Sequence, residues 1–219
     1  MNKITAALNT GAMLLLFASA CFAQKDEIAR TEYFARFKEA FTKSRTFSRR
    51  QVKTLSIFDG RSQKEAWTYE YQLPDRVRFL HVKSMDGKTW RTEQINIGKD
   101  KYCKKNDDPW VVITDSGSCI YGGGRGVSGI TSEVFRKQAT TLDGERVTVY
   151  SWYITSMKAS ADGESFSESK FWVDSKERIV RSEDRGGLVR NGTPRFEEIE
   201  TYEYDPTIKI EAPIITKGN

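Results

Sequence analysis

The sequence predicts an α+β protein that is mostly β: one amphipathic helix followed by a long antiparallel meander in a single domain. Three observations carry this. Apolar residues recur at three- and four-residue spacing near the start of the chain, and the period then changes to two. Asp-Gly or Asn-Gly pairs punctuate the alternating runs five times. No run of βαβ units is visible, and no linker separates a second domain.

The first element is a targeting segment. Met1-Asn2-Lys3 gives a short positive start, and Ala12 to Ala20 is an uncharged apolar run too short to cross a bilayer. Small residues follow, and charges begin at Lys25. This is the layout of a signal peptide over residues 1–23, with cleavage near Ala23, and it implies an oxidising, periplasmic or secreted setting. Ala18-Ser19-Ala20-Cys21 also resembles the box in which a bacterial lipoprotein is cut before cysteine and acylated on it, with Ala18 where that box usually has Leu. Acylation of Cys21 therefore stands as the alternative maturation. Residues 24–219 make the mature domain, long enough for a substantial core.

The helix is predicted from about Lys25 to Ser44. Ile28, Phe34, Phe37, Ala40 and Phe41 form its apolar stripe, with Asp26, Glu27, Arg30, Arg36, Lys38 and Lys43 between them. Core packing is the use expected of that stripe. Strand periods follow. Trp67, Tyr69 and Tyr71 alternate with Ala66, Thr68 and Glu70; Val77 and Phe79 with Arg76 and Arg78; Ile95 and Ile97 with Gln94 and Asn96. Val147, Val149 and Tyr153 share one parity and Tyr150, Trp152 and Ile154 the other, as in a strand covered on both faces. The turn pairs are Asp59-Gly60, Asp86-Gly87, Asp143-Gly144, Asp162-Gly163 and Asn191-Gly192, each suited to a tight hairpin. Such a sheet either closes into a barrel or curls around helices packed in its concave side. An aromatic content of 12 % suits an enclosed apolar interior.

Composition narrows the function classes. The formal charge of +5 is dispersed, with no basic cluster of the kind nucleic acid requires. Cys103 and Cys119 form the only intrachain pair left after the signal peptide, and a disulfide between them closes a short loop worth about 3 kcal/mol. A metal site would have only His81 to add to them, so no metal and no cofactor is expected. Gly124-Arg125-Gly126-Val127-Ser128-Gly129 spells the dinucleotide fingerprint, but the segment after it reads as a strand ending in the Asp143-Gly144 turn. The five glycines Gly122, Gly123, Gly124, Gly126 and Gly129 are expected instead in a mobile loop at the rim of the sheet. Ile130 stands where a nucleophile elbow needs its final Gly, and the single histidine, His81, lies in a strand. Glu197, Glu198 and Glu200 read as the solvent face of a strand. No cluster earns a catalytic assignment, and the chain reads as a non-enzyme; an exported hydrolase would have to be built around His81.

Three segments carry a resemblance: Tyr69 to Val82, Glu93 to Val111 and Tyr202 to Pro213. Within them lie Pro74-Asp75-Arg76 after a strand, Ile97-Gly98 with Tyr102, then Trp110, and a tail with Tyr204, Ile210 and Pro213. In this pattern the chain resembles the lipoprotein-carrier superfamily, which includes the LolA and LolB proteins and the LppX/LprG-type lipid-binding lipoproteins. The resemblance implies a curved antiparallel half-barrel, an unclosed β-barrel, with an N-terminal helix and a helical lid on its concave face. It implies an apolar cavity for a lipid or an acylated lipoprotein, with an envelope protein as a further partner. Contact with the membrane surface would be transient or made through an acylated Cys21. The wall candidates are Trp67, Tyr69, Tyr71, Val77, Phe79, Ile95 and Ile97. The contrasting expectation is an envelope scaffold module of the same fold with its cavity filled.

Overall fold

A computed structural model describes residues 26–58, 63–113, 119, 130–157, 164–189 and 194–215. It contains β1 (Asp26–Glu27), α1 (Arg30–Thr46), β2 (Arg49–Phe58), β3 (Gln63–Gln72), β4 (Arg76–Met85), β5 (Lys88–Ile97), β6 (Asp100–Lys105) and β7 (Val111–Val112). The second half contributes β8 (Ile130–Leu142), β9 (Glu145–Met157), β10 (Glu164–Val173), β11 (Ile179–Leu188) and β12 (Pro194–Glu203). The twelve strands form one curved, unclosed antiparallel sheet in the order β1-β8-β9-β10-β11-β12-β2-β3-β4-β5-β6-β7. Two meanders, β2–β7 and β8–β12, are therefore stitched together by the β12–β2 pair. The chain leaves β7 at one edge and re-enters as β8 beside the other.

Local chemistry explains the hairpins. Asp86-Gly87 and Asp143-Gly144 are two-residue turns with positive φ throughout, 51° and 75° in the first and 51° and 85° in the second. That pair of conformations matches the twist of the strands it joins, and glycine adopts it without a Cβ clash. Asp59-Gly60, Asp162-Gly163 and Asn191-Gly192 lie outside the described residues, although the strands flanking each are antiparallel neighbours. Gly98, with φ of 59°, turns β5 into β6, and its N–H donates to the Asp75 carbonyl at 3.0 Å. The Pro74-Asp75-Arg76 turn and the Ile97-Gly98 turn are thus hydrogen-bonded neighbours.

Helix α1 starts at Arg30, five residues later than its periodicity predicts, and runs to Thr46. Asp26 and Glu27 are instead taken by the sheet, opposite Lys137 and Arg136 of β8, and the Ile28 N–H donates to the Phe135 carbonyl at 3.0 Å. No capping side chain stands at Ala29 to pull the helix start earlier. The helix docks through Tyr33, Ala40 and Ser44, all buried. Tyr33 and Ala40 join Phe135, Phe171 and Ile179 in the main core. The Ser44 hydroxyl donates to the Ala40 carbonyl and accepts the Ile179 N–H at 2.9 Å, anchoring the last turn on β11. Among the described residues α1 is the only helix.

The alternation along β2 identifies the inner face: Arg50, Val52, Thr54 and Ser56 are buried while Lys53 and Leu55 are exposed. On the opposite face a second core joins Ile95, Ile208 and Ile210, with Ile97, Tyr102 and Trp110 packed around it. The tail is held there by Arg76, which donates to the Ile210 carbonyl, and by the Ile210 N–H, which donates to Gln72.

Candidate functional site

Strand register builds the site in rows. One row crosses the inner face as Trp152, Ser169, Asp184, Glu198 and Ser56. The next runs Tyr150, Phe171, Ser182, Glu200, Thr54, Trp67 and His81. A third runs Tyr202, Val52, Tyr69, Phe79, Gln94 and Cys103. Between these rows and α1 lies a cavity of about 590 Å³. The helix presents Phe34, Phe37 and Phe41 to it, each 38–39 % exposed. Val52, Tyr69, Tyr71, Trp152 and Tyr202 face them from the sheet.

The base of the cavity is polar. Asp184, Glu198 and Glu200 line it, and hydroxyls rather than cations serve them. Ser169 donates to Asp184; Ser56 donates to Glu198 at 2.8 Å. Glu200 accepts from Tyr202 at 2.7 Å, Ser182 at 2.9 Å and Thr54 at 3.3 Å. None of the three carboxylates has an ion-pair partner among the described residues. Burial pushes the Asp184 carboxyl up, and the neighbouring Glu198 and Glu200 charges add to this. Burial likewise raises the Tyr69 phenol to about 12, and burial followed by Glu200 raises that of Tyr202.

The sign of the Asp184 shift gives a test. A carboxyl whose folded pKa lies above its ordinary 3.8 favours the folded state only when neutral. Stability therefore falls as pH rises from 3.8 through the folded value. Asp184→Asn is expected to melt at a higher temperature than the wild type at neutral pH, with the gap closing as the pH approaches 3.8. Equal melting temperatures at neutral pH would refute the assignment.

At the corner where α1 meets β2, Arg50 is 5 % exposed. Its guanidinium lies 3.9 Å over the Tyr71 ring and donates to the Arg45 carbonyl at 2.9 Å and the Phe47 carbonyl at 3.4 Å. Burial pulls its pKa down, the Arg45 charge adding to this, while Tyr71 opposes the shift.

Of the sequence-predicted wall, Tyr69 and Tyr71 line the cavity. Val77, Phe79 and Trp67 share their face, opposite Tyr71, Tyr69 and Thr54, but stand outside the lining. Ile95 and Ile97 lie on the other face, in the second core, because Gln94 and Asn96 take the inner parity of β5. Glu198 and Glu200, read from sequence as a solvent face, point inward instead. The hydroxyls of Thr54, Ser56 and Ser182 opposite them are the signal that could have shown it. Arg50, Asp184 and Tyr33 were not singled out by any local pattern. Phe34, Phe37 and Phe41, expected as core, line the cavity.

Cys103 and Cys119 are joined in a disulfide, with Cα atoms 6.3 Å apart. The Cys119 N–H donates to Gln94 at 3.2 Å. Gly122, Gly123, Gly124, Gly126 and Gly129 lie outside the described residues. His81 is stacked on Trp67 at 3.7 Å and stands outside the cavity lining; its Nε2 lies 3.7 Å from Glu65 and has no hydrogen-bond partner among the described residues. Among the described residues no group of three His, Cys, Asp or Glu is placed to hold a metal ion, and no helix is long and apolar enough to cross a membrane. No protein-family model matches the chain, and no curated protein matches it.

Proposed function

We propose that this protein is an exported, non-enzymatic carrier that holds the acyl part of a lipid or an acylated lipoprotein between α1 and the curved sheet, with α1 as the cover. The observation that carries the reading is the unfilled cavity of about 590 Å³ faced by Phe34, Phe37 and Phe41. Its volume falls in the range of about 300–1,000 Å³ usual for small-molecule sites. Each methylene removed from water against those rings contributes about 0.8 kcal/mol. A scaffold with a plugged interior would have no reason to leave three phenylalanines facing open space. Export rests on the apolar run Ala12 to Ala20 and on cleavage near Ala23, or on acylation at Cys21.

The polar base refines the guest. A bare hydrocarbon would strip water from Asp184, Glu198 and Glu200 without replacing it, which is costly for carboxylates. The guest is therefore amphipathic, its chain against α1. Native mass spectrometry of the purified mature protein is expected to show a lipid-sized adduct, and the same spectrum reports an acyl group on Cys21. Absence of any adduct, together with no binding of a fluorescent fatty acid, would sink the carrier reading.

A further inference from the structure

We infer that the corner of the cavity at Arg50 binds an anionic oxygen group, a carboxylate or a phosphate, so that the carrier's guest is an acidic amphiphile. The inference rests on the carrier reading for the guest's apolar chain, but the anion site stands on its own geometry. Arg50 is the one buried cation of the cavity lining, and it has no carboxylate partner among the described residues. It is 5 % exposed, yet its hydrogen-bond acceptors are all uncharged: the main-chain carbonyls of Arg45 and Phe47 and the Tyr71 hydroxyl.

The acids in the cavity do not supply the missing charge. Asp184, Glu198 and Glu200 are engaged by hydroxyls of Ser169, Ser56, Thr54, Ser182 and Tyr202. Arg178, a further guanidinium near this corner, is paired with Asp174 at 2.7 Å. A buried charge without a counter-ion is destabilising, and it becomes favourable when an anion arrives with matching geometry. The guanidinium presents five N–H donors in a planar fork. Both carbonyl contacts are made by Nη1, and the only side chain hydrogen-bonded to the guanidinium among the described residues is the neutral Tyr71, so donors of the fork remain for a planar carboxylate or a phosphate edge. Tyr71 holds the plane of the fork from one side at 3.9 Å, and Arg45 adds a second guanidinium to the lining.

Helix capping accounts for only part of this. Donation to the last carbonyls of α1 needs a donor and no buried, permanently charged fork; glutamine would do it. The experiment separates the two roles using the full mature chain, freed of any co-purified guest, with three probes: palmitate, hexadecanol and inorganic phosphate. Palmitate and hexadecanol share a chain and differ in head charge. The wild type is expected to bind palmitate at least about tenfold more tightly than hexadecanol, and Arg50→Gln to abolish that preference while hexadecanol affinity holds. Arg50→Lys, which keeps the charge and loses the fork, is expected to fall between.

Equal binding of the two amphiphiles by the wild type, or a preference that survives in Arg50→Gln, overturns the inference and leaves the carrier reading intact. Binding of phosphate alone, dependent on Arg50 and without either amphiphile, upholds the anion site, assigns it to a free anion and removes the carrier reading. No binding of any probe overturns both. Should Arg50→Gln fail to fold, the wild-type comparison and Arg50→Lys decide the matter.

Discussion

Phe171→Ala is expected to lower the unfolding free energy by about 3–5 kcal/mol, the largest effect of any single truncation in this fold. Phe171 is 2 % exposed and sits where the helix, the inner face and the cavity meet. Its ring contacts Tyr33 at 5.3 Å and Phe37 at 5.4 Å, both edge-on, and stacks on Tyr150 at 5.0 Å. Removing it leaves a void between α1 and β10 that adjoins an existing cavity, and the rings around it cannot close that space without undocking the helix. The cost thus combines lost transfer free energy with lost ring contacts. Urea denaturation followed by tryptophan fluorescence measures it, with Tyr153→Ala as the comparison. Tyr153 stacks on Phe166 at 6.1 Å but is 37 % exposed, so its truncation is expected to cost much less. Equal losses in the two variants would show that α1 is not held through Phe171.

The strands and the two observed Asp-Gly hairpins were legible because both signals are local. Alternation needs only neighbouring residues, and Asp86-Gly87 and Asp143-Gly144 specify their own turns. The side of the sheet each parity faces was not legible wherever the deciding partner lies far along the chain. Ile95 and Ile97 read as cavity wall, but the surface that buries them is supplied by Ile208 and Ile210 in the tail. Glu198 and Glu200 read as solvated because acids on alternate positions usually are. Their inward placement depends on β2 and β11 bringing Thr54, Ser56 and Ser182 opposite them. The helix was placed correctly in kind and misplaced at its start, since no periodicity in Asp26-Glu27-Ile28 announces that β8 will claim those residues.

The same distinction between local and distant constraint sets the expectation for the disulfide. Reducing Cys103–Cys119, or replacing both by serine, is expected to cost about 3 kcal/mol in the chain-entropy account. The two residues are 16 apart in sequence, and the bond removes freedom mainly from the unfolded chain. It also secures a weak border: β7 has two residues, and its valines are 53 % and 54 % exposed. Once the bond is broken, Cys119 retains the hydrogen bond to Gln94, worth about 1 kcal/mol, as its principal tie to β5. Chemical denaturation with and without reductant measures the loss, and an unchanged midpoint would mean that loop closure contributes nothing. Ligand affinity separates this border from the site. Phe79 and Gln94 lie between Cys103 and Tyr69 in the third row, and neither lines the cavity. Reduction should therefore lower stability while leaving palmitate affinity unchanged at temperatures where the chain stays folded. Loss of affinity in step with reduction would mean instead that the β5–β6 border and the Arg50 corner move as one unit.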